Sequence, residues 1–66
     1  MDRRGGVVLI VRCRDGADKR ATVRIAPANG HVGLEPSVDG PLRFTPMQTG
    51  QLRAALREAI ALLELP

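Results

Sequence analysis

The sequence predicts an α+β fold: a four-stranded antiparallel β-meander followed by one C-terminal helix packed on one sheet face. Three observations carry that expectation. Residues 7–26 hold two β-branched stretches around an Asp-Gly loop, Asn29-Gly30 marks a second tight hairpin, and residues 45–63 join a helix start to one apolar stripe. The chain has 66 residues, room for a single small domain, assigned to residues 7–66 behind a flexible N-terminal arm at residues 1–6.

Each element has its own warrant. Val7-Val8-Leu9-Ile10-Val11-Arg12-Cys13-Arg14 passes from continuously apolar to alternating, a strand signal. Asp15-Gly16-Ala17-Asp18-Lys19 supplies the turn chemistry of a hairpin loop. Arg20-Ala21-Thr22-Val23-Arg24-Ile25-Ala26 alternates cleanly and is expected to end before Pro27. Asn29-Gly30 suits a type I′ turn, which needs positive φ at both central positions. His31-Val32-Gly33-Leu34-Glu35 reads as a third strand stopped by Pro36, Asp39-Gly40-Pro41 as a turn, and Leu42-Arg43-Phe44 as the fourth strand. Thr45 as N-cap, Pro46 at the first helical position and Gln48 three residues after the cap form a capping box. Gly50 then costs the helix about 1 kcal/mol against alanine.

Faces follow from period. If Arg14 pairs with Arg20, then Cys13 lies opposite Ala21, Val11 opposite Val23 and Leu9 opposite Ile25. These six, with Val32, Leu34, Leu42 and Phe44, make the expected core. The helix is expected to cover it with Leu52, Leu56, Ile60 and Leu63.

Composition narrows the class. A hydrophobic fraction of 44% with 26% charged residues is globular rather than disordered. At about 60 residues folding buries only roughly 60% of the unfolded surface, so the core is marginal. Cys13 has no second cysteine to bridge, and Cys13 with His31 cannot fill a four-ligand zinc site. A partner subunit is the staple that remains. The apolar run at residues 7–11 is far short of the roughly 20 residues that span a bilayer. The N-terminal residues lack a signal-peptide pattern, and a cytoplasmic protein with a reduced Cys13 is expected.

Charge is uneven: residues 1–24 carry seven basic side chains against three acidic, the remainder three against four, for a net +3. The face of the first hairpin opposite the core carries Val8, Ile10, Arg12, Arg14, Arg20, Thr22 and Arg24. Val8 and Ile10 would be left wet in a monomer, and Leu62 and Leu65 fall off the helix stripe. These four are the expected protein-interface residues, most simply of a homodimer. Arg12, Arg14, Arg20 and Arg24 are candidates for contact with nucleic acid or an acidic partner. Single-strand binders normally stack bases on aromatic side chains, and the one aromatic here, Phe44, is wanted by the core. Nucleic-acid binding is therefore the alternative, and protein contact the primary expectation. No catalytic, metal, cofactor or small-molecule site is expected: Cys13 points inward and His31 merely follows a turn.

The stretches Val23-Arg24-Ile25-Ala26, Gly30-His31-Val32-Gly33-Leu34-Glu35-Pro36-Ser37 and Asp39-Gly40-Pro41-Leu42-Arg43-Phe44-Thr45-Pro46 resemble the small actinobacterial BldB-like family. Gly40 to Pro46 is the most specific piece. The chain departs from that family's pattern at Thr22, at Glu35-Pro36, at Thr49-Gly50 and throughout the N-terminal strand. The resemblance implies a non-enzymatic regulatory protein acting by protein–protein contact, often beside a helix-turn-helix transcription regulator, with no catalytic or cofactor residues. A weaker, topological resemblance is to single-strand DNA-binding dimers of the positive cofactor four type. Their basic strands would map onto Arg12, Arg14, Arg20 and Arg24.

Overall fold

The structure, a computed structural model, describes residues 7–64; the arm at residues 1–6 and the expected interface residue Leu65 lie outside them. Strands β1 (Leu9–Asp15), β2 (Arg20–Ala28), β3 (His31–Pro36) and β4 (Leu42–Arg43) are followed by helix α1 (Pro46–Leu63). The strands form one antiparallel sheet in the order β3-β2-β1-β4, and α1 packs on one of its faces. This is the α+β class that the sequence implies.

The first hairpin has the expected register, with Arg14 opposite Arg20, Cys13 opposite Ala21, Val11 opposite Val23 and Leu9 opposite Ile25. Its loop is organised by Asp15, whose carboxylate accepts the N–H groups of Ala17 at 2.8 Å and Lys19 at 2.9 Å. Asp18 closes the turn at φ 63°, the left-handed position that a three-residue hairpin loop places after its type I turn. In the second hairpin Asn29 and Gly30 take φ 55° and 79°, the signs a type I′ turn demands.

Five boundaries differ from the expectation. β1 runs from Leu9 to Asp15 rather than from residue 7 to Arg14, β3 includes Pro36, β4 stops at Arg43 with Phe44 packed on the core from outside the strand, and β2 runs through Pro27 to Ala28. The proline is tolerated for a reason of geometry. Ala28 and His31 close a two-residue hairpin, so alternation along the ladder turns the Pro27 nitrogen towards β1. β1 starts opposite Ile25, short of Pro27, and no ladder bond is asked of that nitrogen.

The fourth strand also takes a different neighbour. A meander would lay it beside β3, but Leu42 and Arg43 pair with Asp15 and Arg14 of β1. Before the chain leaves β2, Ser37 donates its N–H to the Thr22 carbonyl at 2.9 Å, and its Oγ accepts the Thr22 N–H at 3.0 Å. The connection then passes the tip of the first hairpin. A Cβ on Gly16 would stand 3.3 Å from Cγ of Pro41, so a bare glycine lets the two segments meet.

The core is Val11, Val23, Ile25 and Ala59, flanked by Leu9, Val32, Leu42, Phe44, Leu52, Ala55 and Leu56. Cys13 and Ala21 are buried beside it. Three of the residues expected in the core or covering it are not in it: Leu34 is 56% exposed, Ile60 52%, and Leu63, half-buried, is not among the residues packed on the cluster. Leu34 faces the helix side, opposite Ile25, but on the edge strand β3, beyond the width that one helix covers. On the helix, Ala59 is the residue pressed into the sheet, because a methyl side chain allows the closest approach. Ile60 lies about 100° further round the helix. The helix start is as expected: Thr45 Oγ1 accepts the Gln48 N–H at 3.1 Å, and Gln48 Oε1 accepts the Thr45 N–H at 3.0 Å. Among the described residues no helix is long and apolar enough to cross a membrane.

Candidate functional site

The sheet face opposite α1 carries no covering element among the described residues, and it gathers the basic side chains. Because the side chains of paired residues share a face, the register assembles rows across it. Arg43, Arg14 and Arg20 form one row over β4, β1 and β2. Arg12 stands opposite Thr22 in the next row, and Ile10, Arg24 and Glu35 make the third. The face thus holds five arginines and one carboxylate.

Arg24 is the one of the five with an acidic partner among the described residues, Nη1 to Oε1 of Glu35 at 3.3 Å, with both side chains more than half exposed. Such a pair contributes little to stability. Arg14 donates from Nη1 to the main-chain carbonyl of Asp18 at 3.2 Å. The nearby Asp15 carboxylate is occupied by the loop N–H groups. A concavity at this end of the molecule takes in the helix-side residues Cys13, Ala21 and Gln48 as well as Arg12, Arg14 and Arg20, so it is not a feature of the arginine face alone. Arg14 and Arg20 are cross-strand neighbours of like charge. The hydrogen bond from Asp15 N–H to the Lys19 carbonyl, 2.9 Å, makes theirs a non-hydrogen-bonded pair, with Cα atoms about 4.5 Å apart.

The four arginines expected from the sequence are therefore brought together, and Arg43 joins them. Sequence reasoning missed Arg43 because the strand that carries it was placed at the other edge. The interface set is not brought together in the same way. Ile10 is 63% exposed on the arginine face, Val8 is half-buried just ahead of β1, and Leu62 is half-buried on the helix.

The remaining reactive groups are kept apart. Cys13 is 3% exposed on the helix side, and burial, followed by the negative charge of Asp15, pushes its thiol above the ordinary range. A protonated, enclosed thiol is a poor nucleophile. His31 is exposed at the start of β3, its Nδ1 3.1 Å from the Asn29 carbonyl, on the opposite face of the sheet from Cys13. Ser37 Oγ is engaged with Thr22. Among the described residues no three His, Cys, Asp or Glu side chains cluster as metal ligands would. Neither a family model, nor a curated protein, nor a solved structure matches the chain.

Proposed function

We propose that the chain is a small non-enzymatic interaction module that docks an acidic protein surface on its open sheet face. The observation that carries this reading is the row Arg43, Arg14, Arg20, with Arg12 beside it. Like charges directly opposite one another destabilise a sheet, and an acidic partner removes that cost. Ile10 favours a protein over a bare polyanion: an exposed aliphatic among arginines offers a phosphate backbone nothing, whereas arginine with apolar contact is the composition of protein interfaces. The resemblance to the BldB-like family adds a helix-turn-helix regulator as the kind of partner. A second copy is poorly suited to this face, because a two-fold would stack arginines on arginines.

The same guanidinium row also suits phosphate, so a single-stranded oligonucleotide is the competing ligand. Fluorescence anisotropy with a labelled Glu-Leu peptide and with an oligonucleotide, over a range of salt, tests the two. The expected result is peptide binding that weakens with salt and is lost in the triple variant Arg14→Ala, Arg20→Ala, Arg43→Ala. Peptide binding unaffected by that variant, or tighter binding of the oligonucleotide at equal salt, overturns the proposal.

A further inference from the structure

Two of the exposed apolar side chains, Leu34 and Ile60, lie on one side of the molecule, beside an open strand edge. β3 is an edge strand, and alternation from the Ala28–His31 pair turns the main-chain groups of Val32 and Leu34 outward, away from β2. Ile60 lies on that side too. Glu58 and Ile60 flank Ala59 at about 100° either way, and Glu58 shares a groove with Leu9, Ile10 and Val11 of β1. Ile60 therefore faces the β3 side, which α1 also touches. At the opposite edge β4 pairs with Arg14 and Asp15 alone and leaves Leu9–Cys13 of β1 open, but that stretch puts Ile10 and Arg12 on the open face, with no carboxylate to pair with the arginine.

We infer that a second copy of this chain pairs antiparallel along β3, about a two-fold at Gly33, to give one continuous sheet of eight strands. Three features select this register. Val32 pairs with Leu34 of the other copy in both directions, so four outward main-chain donors and acceptors per copy are satisfied. Pro36, which has no N–H, falls outside the new ladder. His31 of each copy comes to stand opposite Glu35 of the other, on the open face and at non-hydrogen-bonded positions, where cross-strand side chains approach closest. The strand thus sets an imidazole against a carboxylate at both ends of the new ladder. Val32 and Leu34 of both copies form an apolar strip on the helix side, flanked by the two Ile60 side chains, and the arginine rows stay free. Glu35 keeps Arg24 as a neighbour on its own chain, which makes it a bridge between the interface and the arginine face.

Analytical ultracentrifugation and a cysteine scan test the inference on the full chain. The wild type should sediment with twice the chain mass, and Leu34→Lys should return it to the single-chain mass with an unchanged far-ultraviolet circular dichroism spectrum. Gly33 is a safe site for a probe: its φ is unexceptional, and a Cβ there would meet only the Ala26 carbonyl at an ordinary 3.5 Å. Gly33→Cys should therefore give a disulfide-linked dimer on mild oxidation. His31→Cys should not, because its cross-strand neighbour is Glu35 rather than itself. A single-chain mass at millimolar protein overturns the inference, as does a dimer that survives Leu34→Lys. A His31→Cys variant that cross-links as readily as Gly33→Cys overturns the register.

Discussion

The two faces of this sheet are built from alternate residues of the same strands, yet they face opposite tasks. On the helix side Val11, Val23 and Ile25 are buried against Ala59. On the other side Arg12, Arg14, Arg20, Arg24 and Arg43 share one carboxylate among them. Stability resides almost wholly on the first face, and the second is retained at some expense to it. A chain of this size gives one face to folding and leaves the other uncovered among the described residues.

Substitutions that break the comparison rank accordingly. The largest effect is expected at Ile25, which is fully buried. Ile25→Ala should lower stability by about 2–5 kcal/mol, enough to unfold most of the population in a thermal melt followed by circular dichroism. Thr45→Ala removes the cap that seats the covering helix and should cost about 1 kcal/mol in urea titration. Cys13 gives the helix side a pH signature. Its folded thiol holds the proton more tightly than the unfolded one, so stability is level at pH values where both keep the proton and falls as pH rises above the unfolded thiol's value. Cys13→Ala should abolish that alkaline decline, read as the midpoint of urea unfolding against pH. The smallest effect sits on the open face: Arg14→Thr, which removes a like-charge contact with two neighbours, should change stability by about 0.5 kcal/mol and in the stabilising direction, while peptide binding weakens.

Much of this division was legible in the sequence, where the signals were local. Asp15 through Lys19 set the first register, Asn29-Gly30 the second, and Thr45, Pro46 and Gln48 the helix start. With them came the four arginines of the first hairpin. Period identifies faces but not edges. Leu34 has the right parity for the core and lies at the margin of the sheet, and Ile60 belongs to the apolar stripe but loses its place to a smaller neighbour. A two-residue strand carries no period at all. Leu42-Arg43 pairs with β1 where the connection brings Pro41 against Gly16, a contact between distant segments that no local signal marks, and Arg43 is missing from the sequence-derived site for that reason.

The crossing of the fourth strand to β1 also sets an order of assembly. Both hairpins join neighbours in sequence and can close quickly. Pairing of Arg43 with Arg14 must instead wait until a long loop has closed, an entropic step that nothing local rewards. On that entropic ground the three-stranded ribbon is expected to form ahead of the pairing of β4. Native-state hydrogen exchange should show the reverse path, with the amides of β4 released at a lower free energy than those of β2. Arg43 is carried on that last-docking segment, so the row of three arginines is complete only in the fully folded molecule.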